Sequence, residues 1–318
     1  MRVLTFNSHQ PYLHLLATVL PWQLGVIIPR LSSGTEKSWD PRIRPQPENV
    51  RLYPSVAAAI RDRKWDWVLA HNADDLMDCR DAPLPKVFLV HGTISGRIVQ
   101  DRSTVSRAEY VGKLRILLEA YRCRVIYISE LKRKDWGIPG RVLRTAIDPA
   151  MYGGYRGSIP GVLQVGNHLR ERGAILGWQI HSTVCQGIPA LVLGQNRDLP
   201  GSRCATDWDD LKEQYRDYRV YLHTAIHPYE DGFNLGLLEA MATGMPAATI
   251  QNPSSPIEDG VEGVVGSTAE ELREKVLWLL DRPEEARRRG QAARLKLQKE
   301  FPLSAFQSAW ESLAAELA

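Results

Sequence analysis

At 318 residues, with 44% hydrophobic and 24% charged side chains, the chain has a globular composition and room for two domains with cores of their own. A formal net charge of +3 is too small to point to nucleic acid, and Cys79, Cys123, Cys185 and Cys204 lie too far apart for a paired metal-ligand motif and read as reduced thiols. The opening MRVLTF is a strand rather than a signal peptide, and Pro21, Trp22 and Gln23 interrupt the apolar run from Leu13 to Ile28, so a cytoplasmic protein is expected.

In chain order, Arg2 to Phe6 is the first strand, Tyr12 to Leu20 an apolar helix and Leu24 to Ile28 a second strand. The intervening loop, Asn7-Ser8-His9-Gln10-Pro11, contains no glycine and so lacks the G-x-G-x-x-G turn of a dinucleotide site; no NAD or FAD is expected. His9 in that loop reads either as a ligand-facing residue or as a packing residue. Residues 29–47, rich in Pro, Ser and Arg, predict a surface loop. A short helix over Ser55 to Arg61 comes next, then strands over Trp67 to Ala70 and Val87 to Val90. Strands and helices alternate without hairpin signals, which argues for a parallel sheet. His91 falls at the carboxyl end of an apolar strand, where such a sheet meets its ligand, and Gly92 beside it permits close backbone approach.

Ser103 to Arg122 predicts an amphipathic helix with Val111, Leu114, Leu118 and Tyr121 on one stripe. Between Lys86 and Ala146 there are 13 Lys and Arg against 5 Asp and Glu. That excess suits an anionic acceptor or peripheral contact with the inner face of a membrane, and equally an ordinary solvated basic face. A strand over Val125 to Ile128, a basic helix ending at Trp136-Gly137 and a strand over Arg141 to Leu143 complete the first half. Gly153, Gly154, Gly157 and Pro160 mark a linker.

The second half opens with a strand over Val162 to Val165 and the loop 166–173, then a helix over Ala174 to Cys185 and a strand over Ala190 to Leu193. Asp207-Trp208-Asp209 has D-x-D metal spacing, but Thr206 with Asp209 three residues later fits a helix cap better, and no metal is expected. Helices over Thr268 to Leu280, Pro283 to Lys299 and Ser304 to Leu317 close the chain.

The most informative stretch is 219–250: an apolar strand (Val220 to Leu222), a loop ending Tyr229-Glu230-Asp231-Gly232, a helix over Asn234 to Thr243 and a strand over Ala247 to Ile250. The backbone amides of Phe233, Asn234 and Leu235 are the unpaired donors of the helix's first turn, and with the helix dipole they suit a phosphate. Asp231 stands at the helix mouth and Glu239 about one and a half turns in. This arrangement resembles the acid-x7-acid signature E-G-F-G-L-x-x-L-E-A-M-A-x-G-x-P of retaining GT-B glycosyltransferases of family 4. Here it runs from Asp231 to Pro246, with Asp231 in place of Glu and Asn234 in place of Gly.

The resemblance implies an α/β protein of two Rossmann-like domains facing a cleft, the GT-B fold. Residues 1–148 would form the acceptor domain, 149–302 the nucleotide-sugar domain, and 303–318 a helix returning to the first. It extends to Thr145–Tyr152 and to 252–263, which resemble the family's N-G-x-D-x-x-x-F and P-E-x-x-x-D-G-x-x-G stretches. It also covers Gly166–Gly173, similar to G-R-L-x-x-x-K-G, where Arg172 keeps the Lys charge and Asn167 replaces the Arg; Arg170 is a candidate substitute cation. The same resemblance implies a role for each residue. Glu239 holds the ribose; Arg172, Asn167 and Gly166 face the donor diphosphate with Gly232, Phe233, Asn234 and Leu235; Asp231 holds the transferred sugar. His91 lies beside the reacting sugar and His9 on the acceptor side. The implied activity is metal-independent, retaining transfer from a UDP- or GDP-sugar to an acceptor hydroxyl. The family's Gly-Gly loop is missing at 7–11, so two other readings stay open: a nucleotide-sugar-binding scaffold without catalysis, and a nucleotide-sugar epimerase.

Overall fold

Short apolar strands alternating with helices build two parallel sheets, one in each of two units of the chain. The computed structural model describes residues 1–28, 38–100 and 102–317. Unit 1 comprises Met1–Thr93, Thr104–Arg144 and Leu303–Ala318; unit 2 comprises Ile94–Ser103 and Thr145–Pro302.

Unit 1 begins β1 (Arg2–Phe6), α1 (Gln10–Val19), β2 (Gln23–Ile27), β3 (Val50–Tyr53), α2 (Val56–Asp62), β4 (Trp67–Ala70), α3 (Ala73–Asp78) and β5 (Lys86–Val90). The next helix, α4 (Ile94–Gln100), groups with unit 2. Unit 1 resumes with α5 (Arg107–Ala120), β6 (Arg124–Tyr127), α6 (Glu130–Trp136) and β7 (Arg141–Val142). Its strands run parallel in the order β3-β2-β1-β4-β5-β6-β7.

Several expectations for this unit are corrected. The four-residue β3, with Arg51 inside it and Pro54 after it, carries too little pattern to stand out, but β2 templates it in register from Leu24↔Val50 to Ile27↔Tyr53. Residues 29–37 of the expected surface loop lie outside the described residues. The rest of that loop is anchored rather than superficial: Trp39 and Arg44 are buried, and the Trp39 indole donates to the Arg44 carbonyl at 2.8 Å. Helix α5 starts at Arg107, because the Ser106 hydroxyl caps the Glu109 amide, and only Leu114 and Leu118 of the expected stripe are buried.

Unit 2 continues with a short 3-10 turn (Pro149–Met151), β8 (Ile159–Val165), α7 (Gly173–Leu176), α8 (Trp178–Val184), β9 (Ala190–Leu193), β10 (Ser202–Arg203), α9 (Trp208–Asp217) and β11 (Tyr218–His223). It ends with α10 (Leu235–Thr243), β12 (Ala247–Ile250), β13 (Gly263–Gly266), α11 (Ala269–Leu280) and α12 (Pro283–Glu300). The strand order β10-β9-β8-β11-β12-β13 repeats that of unit 1, with the first strand flanked by the second and the fourth. In both sheets the connections therefore diverge beside the first strand, and the carboxyl ends there form the crevice in which such sheets bind ligands.

One face of the second sheet is covered through Val162, Val184, Leu222, Leu272 and Val276, the other through Tyr215, Tyr221, Leu237, Met241 and Leu297. Helix α13 (Leu303–Ala315) belongs to unit 1, where Trp310 stacks on Trp67 at 6.3 Å and Phe306 meets Tyr12 edge-on at 6.1 Å. Among the described residues no helix is long and apolar enough to cross a membrane.

Candidate functional site

In unit 2 the site is built on the loop from β11 to α10. Ala225, at the start of that loop, is held through its carbonyl by the Asn252 amide at 3.2 Å, and the same amide reaches the Glu230 carbonyl at 3.1 Å. The Ser254 hydroxyl donates to Asn252 Oδ1 at 3.0 Å and accepts the Gly232 amide at 2.8 Å. This brace brings the backbone so close that a β-carbon on Gly232 would meet the Ser255 nitrogen at 2.6 Å, which explains the glycine. Phe233 is buried against Phe301, ring centroids 5.6 Å apart, so its side chain anchors the loop while its backbone stays at the helix mouth.

Asn234 caps α10: its Oδ1 accepts the Leu237 amide at 2.8 Å. That consumes one first-turn donor, and Gly232 has already given its amide to Ser254. Among the described residues the amides of Phe233, Asn234, Leu235 and Gly236 have no partner, so the open donors lie one residue further into the helix than the run 232–235 read from the sequence. Asp231 is fully buried beside the mouth and Glu239 is buried along α10. The Tyr215 hydroxyl donates to Glu239 Oε2 at 2.9 Å and orients the carboxylate. Burial, then the Glu239 carboxylate, push the Tyr215 phenol far up, so it stays a donor. His223 closes β11 beneath this loop; burial pushes its imidazole down to about 4, against a hydrogen bond to the Asp231 backbone and the Glu230 and Asp231 charges.

The loop after β8 forms the second wall. Asn167 Oδ1 accepts the Gln195 amide at 2.8 Å, while Asn196 takes the Leu169 amide and donates to the Gly166 carbonyl, each at 2.8 Å. Asn167 thus ties the loops after β8 and β9 together where the family has an Arg. The guanidinium of Arg170, the candidate substitute cation, lies over the Trp178 ring at 5.2 Å and 3.6 Å from Asp198. Arg172 is the N-cap of α7, and its Nε donates to Gln100 Oε1 of α4 at 3.3 Å.

The expected helix over 174–185 is broken. Gly177, at φ 69°, ends α7, and a β-carbon there would meet the Thr224 carbonyl at 2.2 Å. The break lets the Ile226 amide reach the Ile175 carbonyl at 2.8 Å, stitching the Arg172 helix to the loop that carries Asp231. Asp207, not Thr206, caps α9: its Oδ1 accepts the Asp210 amide at 2.8 Å, and Asp209 pairs with Lys212 at 2.7 Å. The D-x-D spacing is spent on the cap and the helix face.

In unit 1 the carboxyl ends of β1, β4 and β5 carry three imidazoles. His9 caps α1, its Nδ1 accepting the Tyr12 amide at 3.3 Å, and stacks on His91 with centroids 5.0 Å apart and planes 13° apart. His91 Nε2 lies 2.9 Å from His71 Nδ1, and His71 Nε2 lies 2.9 Å from Thr5 Oγ1. Burial, then the neighbouring His9, His71 and Lys132, push His91 well below the usual imidazole range. Asp75 Oδ2 accepts the His71 amide at 2.8 Å and the Ser8 hydroxyl at 3.2 Å, bracing the ends of β1 and β4 together. The Trp136 indole donates to the Gly92 carbonyl at 2.9 Å and fixes the turn after β5. The sequence motifs do not single out His71 or Asp75, although His71 ends an apolar strand just as His91 does.

Residues 204–296 match the model of the family described as Glycosyl transferases group 1, a span that contains α10 and both acids. No curated protein matches the chain. Among solved structures, sucrose-phosphate synthase from Thermosynechococcus elongatus superposes with a TM-score of 0.73 at 14% identity, covering 100% of this chain and 99% of that one. HepE from Anabaena, solved with UDP and glucose, gives 0.69 at 14% identity over 99% and 100%. WaaG, a glycosyltransferase involved in lipopolysaccharide biosynthesis, gives 0.65 at 14% identity over 100% of both. The chain has the GT-B fold of these proteins, two Rossmann-like α/β domains.

Proposed function

We propose that the protein is a retaining, metal-independent glycosyltransferase of the family-4 type that moves a sugar from a UDP- or GDP-sugar to an acceptor hydroxyl. The observation that carries this is the mouth of α10: two buried acids flank four open amides at the positive end of a helix, within the segment that matches the group 1 family model. Glu239, oriented by Tyr215, holds the ribose hydroxyls. The amides of 233–236 and Arg172 face the diphosphate, with Gly166 and the Asn167-braced turn lining it. Asp231 holds hydroxyls of the transferred sugar. HepE bound to UDP-glucose supports a nucleotide-sugar donor on this fold.

In the reaction the bond from the sugar's anomeric carbon to the diphosphate oxygen breaks, the acceptor oxygen bonds to that carbon, and the acceptor proton goes to the departing diphosphate. Fixed donors and Arg172 stabilise the charge that develops on the leaving group, with no metal ion or cofactor required. His91 and His9 serve the acceptor hydroxyl. The basic excess in 86–146 suits an acceptor that is anionic or held at the inner face of a membrane.

The test is thermal stabilisation by UDP, GDP, ADP and their sugar conjugates, followed by transfer assays on the nucleotide that binds. Stabilisation by one nucleotide, abolished in Glu239→Ala, together with a product of retained configuration supports the reading. Absence of a shift with every nucleotide overturns it. Tight nucleotide binding without turnover on any acceptor favours a binding scaffold, a reading motivated by the commitment of Asn167 to Gln195.

A further inference from the structure

The tautomers of the unit 1 imidazoles can be read from the hydrogen bonds. The Thr5 hydroxyl has one proton and donates it to the Leu69 carbonyl at 3.0 Å. Towards His71 Nε2, at 2.9 Å, Thr5 therefore accepts, and His71 carries its proton on Nε2. A neutral imidazole has one N–H, so His71 Nδ1 is the acceptor in its 2.9 Å contact with His91, and His91 carries its proton on Nε2. His91 Nδ1 is left as a lone pair, with no hydrogen-bond partner among the described residues.

We propose that His71 is a positioning residue for His91: the relay from the Leu69 carbonyl through Thr5 and His71 locks His91 as a hydrogen-bond acceptor, so that the group it meets is a hydroxyl rather than a carboxylate or phosphate. This rests on the reading of unit 1 as the acceptor side and sharpens it. A bare nitrogen attracts a donor and repels an anionic oxygen. The charged and titratable groups around His91, namely His9, His71 and Lys132, all oppose its protonation, and burial acts the same way, so the lone pair persists across neutral pH. The Asp75 carboxylate grips the backbone amide of His71 rather than its ring, which holds the imidazole in place without charging it.

The test is nitrogen-15 NMR of histidine-labelled full-length protein, which distinguishes protonated from bare ring nitrogens directly, combined with kinetics. The wild-type protein is expected to show His91 with bare Nδ1 and protonated Nε2. Thr5→Val removes the acceptor for His71, which then places its proton on Nδ1 and drives His91 to the opposite tautomer. His71→Asn, whose amide oxygen can replace Nδ1, is expected to keep the wild-type His91 tautomer, whereas His71→Phe is expected to release it.

Transfer should track the tautomer: kcat falls about 10- to 100-fold in Thr5→Val and His71→Phe, with the donor KM nearly unchanged, and recovers in His71→Asn. A protonated Nδ1 on His91 in the wild type, or equal kcat in His71→Phe and His71→Asn, overturns the proposal. The NMR result does not depend on any sugar being transferred, so a failure of the proposed activity is separable from a failure of the relay.

Discussion

The two units have the same strand order and opposite chemistry at the ends of their strands. Unit 2 offers what an anion and a ribose need: open amides at the mouth of α10, Arg172 on the adjoining helix and the Glu239 carboxylate aimed by a tyrosine. Unit 1 offers imidazoles wired to one another and to a threonine, of which His91 is pushed well below its usual range, first by burial. On the proposed reading, one sheet architecture would serve a charged ligand or a neutral hydroxyl according to the side chains set at the carboxyl ends of its central strands. The crevice comes with the topology, and its selectivity comes from a few loop residues.

The sharpest way to break this contrast is to remove the acids of unit 2. If Glu239 holds the ribose as proposed, Glu239→Ala forfeits charged hydrogen bonds worth about 1.5–3 kcal/mol each, so kcat/KM should fall on the order of 100-fold and nucleotide-induced stabilisation should vanish. Asp231→Ala should cost as much in transfer while the bare nucleotide still binds, since only the sugar-bearing donor would reach it. Titration with nucleotide and with nucleotide-sugar separates the two variants. If Asp231→Ala loses both ligands equally, Asp231 is holding the loop rather than the sugar.

Much of this contrast is legible in the sequence, for a physical reason. The run 235–243 has to be an apolar helix with one acid inside and one before it, because Leu237, Leu238, Ala240 and Met241 are all buried around Glu239. The parallel sheets are likewise readable from apolar runs such as Trp67–Ala70. Strands β3, β10 and β13 are not, because two to four residues carry no periodicity and their pairing is imposed by β2, β9 and β12. The imidazole relay is half legible. The strand-end rule picks His91 and applies equally to His71, but that Thr5 faces His71 across β1 and β4 is a matter of sheet order. Asn167 is legible only as a family position facing the diphosphate; its part in tying the loops after β8 and β9 together is visible only in its bond to the Gln195 amide.

A smaller effect is expected at Arg172. With Asn167 committed and Arg170 laid over Trp178, Arg172 is the cation of this loop still proposed for the diphosphate. Arg172→Ala should raise the donor KM about 10-fold, the worth of one charged hydrogen bond, with kcat changed less. Arg172→Lys should recover part of the loss, because a point charge replaces the fork. Isothermal titration with the nucleotide diphosphate at two salt concentrations checks this: the wild type should be the more salt-sensitive. Equal salt dependence in the wild type and Arg172→Ala would assign Arg172 to its contact with Gln100 alone.

The smallest effect compares the two units through their response to acid. Burial pushes His181 and His223 in unit 2 down to about 4, and His14 in unit 1 likewise, while His91 lies well below its usual range. Between about 6.5 and 4 the unfolded chain binds protons that these folded imidazoles refuse, so stability is full above 6.5 and is lost as pH falls, by about 1.4 kcal/mol per unit for each group. Asp75 in unit 1 works the other way: burial raises its carboxyl to about 6, so the folded state binds a proton there that the unfolded chain does not, and acid stabilises it. Between pH 7 and 5, Asp75 should therefore offset about 1 kcal/mol of the acid loss in unit 1 and none in unit 2. Hydrogen exchange resolved by segment and corrected for the intrinsic pH dependence of exchange measures this: over that range unit 1 should lose about 1 kcal/mol more in Asp75→Asn, which lacks the group that gains a proton, than in the wild type, while unit 2 loses the same in both. Equal unit 1 losses in the two proteins would mean that the Asp75 carboxyl is not held neutral, and that the brace between Ser8 and His71 is an ionised one.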